Sequence, residues 1–111
     1  MIGNEVIIKE GTVIMANVVM NSGSVIGKHS IINSSAIIEH DDIIGDFVHI
    51  SVGAKLAGTV NIEKRTWIGI GASIINNISI CESCIVGAGA VVVKNIKETG
   101  IYIGVPARRK L

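Results

Sequence analysis

The residues that could do chemistry gather between Ile38 and Gly58. His40 stands among Glu39, Asp41 and Asp42, His49 follows nine residues later, and Gly58 lies 18 residues after His40. Imidazole takes and gives protons near pH 7, so a histidine flanked by carboxylates points to general acid–base work. Metal binding suits the chain less well. His29, His40 and His49 are separated by 11 and 9 residues, and the C-x-x-C of Cys81 and Cys84 lacks a second cysteine pair or a nearby histidine. A redox role for that pair would want the start of a helix, and no amphipathic helix is evident. Plainer readings stand beside each group: His29 and the cysteines as structural, Glu39 and Asp41 as solvated charges, His49 as a packing partner of Trp67.

What positions these residues is a repeat. Hydrophobic residues make up 49% of the 111-residue chain but aromatics only 3%, so the core is not built on rings as in an ordinary globule. Its apolar content is mainly Ile and Val, whose branched side chains suit strands. Taken in sixes from Ile2, the first position is aliphatic or Met sixteen times in succession, through to Val86 and Val92, with no insertion. Fifth positions are small or β-branched, with Asp42, Ile78 and Ile96 as departures. A period of six fits neither a helix nor a flat pairing of strands. It fits an all-β parallel β-helix of hexapeptide repeats, three to each triangular coil. Residues 1–97 then form about five coils, a prism about 25 Å tall at the spacing of adjacent strands. Residues 98–111 are a C-terminal extension capping the last coil.

Positions 18 apart stack in such a prism. Asn4, Ser22, His40, Gly58, Asn76 and Lys94 form one outward column, in which a glycine over a histidine leaves open space and an accessible backbone N–H. Val13, Ile31, His49, Trp67 and Ile85 form a second. These intervals place His40, His49 and Gly58 as neighbours on a coiled scaffold. Apolar outer stripes are hard to leave in water, and a homotrimer of prisms side by side would cover them and leave ligand grooves between subunits. The first coil begins at Ile2 with nothing over it, so a missing N-terminal domain or a partner chain is expected on that end.

The stretch E-H-D-x-x-I-G-D-F-x-H-I-S-x-G-A-x-L-A-G from Glu39, with the closing G-V-P-A-R at Gly104 to Arg108, resembles one branch of the left-handed hexapeptide-repeat acyltransferases. That branch holds the sialic acid O-acetyltransferases and the bacterial N-acetyltransferases acting on UDP-linked 4-amino-4,6-dideoxy sugars. The resemblance implies a left-handed helix corresponding to the family's C-terminal catalytic domain. The resemblance also implies an N-terminal nucleotide-sugar-binding domain, a small Rossmann-like unit, that these 111 residues do not include. The family's catalytic base falls on His40 and its neighbouring acid on Asp41. The second family histidine, which lies against acetyl-CoA, falls on His49. Backbone contacts to the cofactor fall on Gly58, Ile70 and the Gly87-Ala88-Gly89 turn, and Asn33 matches a polar position near the acceptor.

The residue types suit that chemistry. Acetyl-CoA carries an activated thioester, so transfer to a sugar amine or hydroxyl needs no metal and no covalent intermediate. It needs a base, a carboxylate to fix the base's tautomer, and a rigid N–H for the developing oxyanion. His40, Asp41 and Gly58 are the candidates. A zinc-binding γ-type carbonic anhydrase shares the fold, but the histidine spacings do not resemble it. An ice-binding helix needs a rank of threonines that Thr12, Thr59, Thr66 and Thr99 do not form. The alternative from another class is a non-catalytic trimeric scaffold, or a catalytic half needing a partner chain. A net charge of +1 gives no general attraction to nucleic acid or membrane, and Arg108-Arg109-Lys110 is the one run of three basic residues. With no apolar run near the roughly 20 residues of a membrane span and no signal-peptide pattern, a cytoplasmic location is expected.

Overall fold

In the computed structural model, which describes residues 1–111, each hexad makes a two-residue strand and a corner. Three strands carry the chain once round a triangular prism, and no helix forms. The first face stacks Ile7–Ile8, Val25–Ile26, Ile43–Ile44, Asn61–Ile62 and Ser79–Ile80. The second stacks Val13–Ile14, Ile31–Ile32, His49–Ile50, Trp67–Ile68 and Ile85–Val86. The third stacks Val19–Met20, Ile37–Ile38, Lys55–Leu56, Ser73–Ile74 and Val91–Val92. All of these pairings are parallel with a step of 18, as in Ile26 on Ile44, Ile50 on Ile68 and Ile38 on Leu56. The architecture is the left-handed parallel β-helix expected from the repeat.

The alternation of a strand sends its first residue out and its second in. The inward residues from Met20 to Ile80 are at most 2% exposed and belong to one core of 23 side chains. Corners turn on the fourth residue of each hexad, which holds φ between +54° and +82° in all fifteen corners from Glu5 to Gly89. Ten of the fifteen are not glycine, although the left-handed region costs other residues roughly 1–2 kcal/mol. The coil beneath holds them there. His29 N–H donates to Glu10 O at 3.0 Å, Asp41 N–H to Ser22 O at 3.1 Å, and Thr59 N–H to His40 O at 3.0 Å.

Polar fifth positions form a second, internal ladder. Ser30 Oγ accepts the N–H of Val48 at 3.0 Å, and its hydroxyl donates to Gly45 O at 2.9 Å. Ser24 does the same between Asp42 N–H and Glu39 O, and Thr66 between Cys84 N–H and Cys81 O. These bonds are needed because a buried peptide group left unpaired costs about 1–3 kcal/mol.

The period fails after Val92. Ile96 bridges Ile80, and Ile101 pairs with Ile85, so the last coil steps by 16. Ile96, a fifth position by count, thereby takes an inward place at 6% exposure. Ile101–Ile103 adds a sixth parallel rung to the second face, and Arg108–Arg109 returns antiparallel to it. Arg109 is tied down there, donating to Glu98 Oε2 at 2.8 Å and Thr99 O at 3.2 Å. The molecule measures 39 × 22 × 20 Å, longer than five coils alone would be.

Candidate active site

His40 occupies the corner between the third and first faces, on the strand-to-strand turn from Ile38 to Ile43. Asp41 is the left-handed residue of that corner at φ +58°, a conformation aspartate tolerates better than most. The turn swings its carboxylate back, and Oδ2 meets His40 Nδ1 at 3.1 Å. A carboxylate there accepts the Nδ1 proton and leaves Nε2 with its lone pair free. Both side chains are open to solvent, at 60% and 66% exposure, so a substrate can reach them.

Two glycines make this arrangement possible. A Cβ at Gly58 would lie 2.3 Å from His40 Nε2 and 2.6 Å from Cε1, so the ring lies directly on that glycine. The space foreseen above the imidazole is thus where the imidazole itself sits, with Nε2 against the Gly58 backbone. Gly58 is buried, and its N–H makes no hydrogen bond within the chain. A Cβ at Gly23, one coil below Asp41, would lie 2.1 Å from Asp41 Oδ1. Gly23 therefore seats the carboxylate as Gly58 seats the ring.

His49 lies on the second face, across the prism from His40. The expectation that the two histidines are neighbours fails, and the interval between them shows why. Nine residues is half of an 18-residue coil, which puts them on opposite sides of the axis. The His49 ring packs at a tilt of 32° against Trp67 with centroids 4.7 Å apart, and Asn33 Nδ2 is 3.3 Å from His49 Nε2. Burial lowers its proton affinity, which keeps the ring neutral near pH 7. Trp67 is itself anchored, its indole N–H donating to Ser51 Oγ at 2.8 Å.

The remaining candidates collect round His49. Asn33, His49, Ser51, Val52, Trp67, Ile70 and Ala88 line one cavity of about 310 Å³. Gly53, Gly71 and Gly89 stack along the adjoining corner, and a Cβ added at any of them would touch nothing within 4 Å. Together they form a smooth ledge parallel to the prism axis. A wider groove of about 690 Å³ lies on another corner, among Lys64, Glu82 and Lys97, and touches neither histidine. No group of three or more His, Cys, Asp or Glu side chains is placed to hold a metal ion. Cys81 and Cys84 bring their sulfurs to 3.4 Å, and burial, helped by Cys81, pushes the Cys84 thiol up to about 11.

One feature of this corner escaped the sequence reading. Asp42 registers there only as a departure from the small fifth-position rule, yet it is fully buried beside His40. Its Oδ1 accepts Val60 N–H at 2.8 Å, and its Oδ2 has no hydrogen-bond partner. Burial raises its carboxyl from 3.8 to about 7, against the opposing pull of the Val60 and Glu39 backbone N–H groups and of His40. An acid at an interior position of the repeat was the available signal.

No family model matches the chain. Solved structures do. The acetyltransferase domain of PglB from Neisseria gonorrhoeae is 36% identical with a TM-score of 0.95, over 98% of this chain and 53% of that one. The same domain is also known in complex with acetyl coenzyme A. PerB from Caulobacter crescentus, in complex with CoA and GDP-perosamine, is 34% identical with a TM-score of 0.85, over 96% of this chain and 55% of that one. WeeI from Acinetobacter baumannii is 31% identical with a TM-score of 0.83, over 96% and 56%. The chain spans about half the length of each of these relatives.

Proposed function

We propose, from the chain's likeness along nearly all of its length to hexapeptide-repeat acetyltransferases, that it is the β-helical acetyltransfer unit of such an enzyme, with acetyl-CoA as donor. The observation that carries this reading is the His40–Asp41 pair seated on Gly58, an exposed base with an oriented tautomer and an unused N–H beside it. PglB's acetyl coenzyme A complex and PerB's CoA complex support the choice of donor. PerB's GDP-perosamine supports a nucleotide-linked amino sugar as acceptor, and so an amine rather than a hydroxyl as the attacking group.

Acetyl-CoA brings an activated thioester, and the chain's own residues do the rest. His40 Nε2 takes the proton that the attacking amine releases, while Asp41 steadies the imidazolium that forms. Gly58 N–H donates to the carbonyl oxygen as it gains charge. The proton on His40 then passes to the departing thiolate, leaving an amide and free CoA. The ledge of Gly53, Gly71 and Gly89 suits a thin, flexible arm lying along the prism, with Ile70, Ala88 and neutral His49 beside it. Asn33, bonded to His49, is the polar group we assign to the acceptor side.

Because His40 and the His49 groove are on opposite sides of one prism, a single chain cannot complete this site. The reading therefore requires threefold assembly, with the His40 corner of one copy facing the second face of the next. Calorimetric titration with acetyl-CoA is the test. Binding near one site per chain is expected, and His40→Ala should keep that binding while losing at least 100-fold in turnover, about the range for a missing general base. A folded assembly that binds no acetyl-CoA would instead indicate the non-catalytic scaffold.

A further inference from the structure

The internal ladder assigns Asp42 a task that its chemistry can perform in only one protonation state. Every other polar side chain at this station does two things. It accepts the N–H of the residue 18 later, and it donates a proton to the carbonyl 15 later. Thr12, Ser24, Ser30 and Thr66 all follow the rule. Asp42 fulfils the first half through Val60 N–H. The carbonyl due from it is Ala57 O, which accepts no hydrogen bond, while Asp42 Oδ2 is buried without a partner.

Ala57 O and Gly58 N–H belong to the same peptide plane. We propose that Asp42 is carried as a neutral acid that donates to the Ala57 carbonyl, so fixing and polarising the peptide whose N–H lies against His40. Asp42 is thus a positioning residue for the oxyanion donor, and that part of the inference rests on the acetyltransfer reading. A donor held from the carbonyl side is locked in direction. Hydrogen bonds in series also strengthen one another, so the Gly58 N–H becomes the better donor. Ionised, Asp42 would turn a bare oxygen towards that carbonyl and release the peptide.

The charged surroundings favour neither form strongly. Glu39, His40 and Asp41 lie on Asp42's own corner. The corners below and above, residues 21–24 and 57–60, carry no charged group. Burial of the carboxyl, which favours the proton, is therefore the larger influence.

The test is a carbon and amide NMR titration of the intact protein, which needs no activity. The Asp42 carboxyl carbon and the Gly58 amide should move with one shared midpoint near 7. In His40→Gln the Gly58 movement should persist, and adding Asp42→Ser, which restores a ladder hydroxyl, to that variant should abolish it. An Asp42 carbon titrating in the ordinary carboxylate range, or a Gly58 amide that ignores it, overturns the proposal whatever the enzyme does. In assays, the wild type should lose turnover above pH 7, and Asp42→Ser should retain turnover without that decline. Asp42→Ala should lower kcat about tenfold with KM for acetyl-CoA unchanged. Loss of acetyl-CoA binding in the wild type would instead count against the acetyltransfer reading alone.

Discussion

His40, Asp41 and Asp42 are consecutive residues of one corner, and their different fates follow from which way each position points. The third position leans outward onto the glycine above, the fourth turns back over the glycine below, and the fifth enters the core. The stacking of His40 on Gly58 was legible from their interval of 18, and the Asp41 pairing from adjacency. The protonation of Asp42 was not, because it depends on burial rather than on residue type. That protonation has a thermodynamic consequence. Between pH 3.8 and about 7 the folded chain holds a proton that the unfolded chain has released, so stability falls as pH rises through that window and levels off above it. At 1.36 kcal/mol per unit the loss is about 4 kcal/mol at most. Asp42→Asn, which keeps the shape and donates without ionising, should flatten this slope in urea midpoints measured from pH 4 to 8. His49 contributes with the opposite sign. Its lowered proton affinity weakens the fold as pH drops through its ordinary range, so the Asp42→Asn difference curve isolates the carboxyl.

The hexad is the element of this fold, and nearly all of its geometry was readable from spacing alone. First-position aliphatics gave the core, and the count of 18 gave the register. Two features were hidden. The left-handed fourth residue leaves no compositional trace, since Glu5, Phe47 and Arg65 serve as well as Gly53. The step of 16 after Val92 falls where Val93, Lys94 and Asn95 continue the repeat without visible interruption. The ladder of fifth-position hydroxyls makes a prediction at this scale. Ser30→Ala would strand both the Val48 N–H and the Gly45 carbonyl, each paired to Ser30 Oγ at about 3 Å. A loss of about 2–4 kcal/mol in denaturant unfolding is expected, more than the volume change alone would cause. Ser30→Thr, which keeps the hydroxyl, should recover most of it.

On the molecule as a whole, the second face carries Val13, Ile31, Trp67, Ile85 and Ile101 at 39–51% exposure in one line. Such a stripe calls for a covering surface. On the proposed reading, the interval of nine between His40 and His49 gives that role to the opposite corner of another copy. Mixing two inactive variants tests this. His40→Ala lacks the base, and Ala88→Trp blocks the groove. Equal amounts unfolded and refolded together should regain about a quarter of wild-type activity, the chance that a site draws its base and its groove from the intact parts. No recovery in assemblies of normal size would place both halves of the site in a single chain.

The ledge of Gly53, Gly71 and Gly89 advances by one rung, roughly 4.8 Å, with each coil. It therefore works as a ruler whose graduations are written into the chain at 18-residue intervals. A ligand lying on it is gauged in whole rungs, and nothing in the repeat permits a fractional setting. The reach between the reacting end of a bound molecule and its far end is consequently fixed by counting coils. Adding or deleting a complete coil changes that reach by one graduation while every side chain keeps its face.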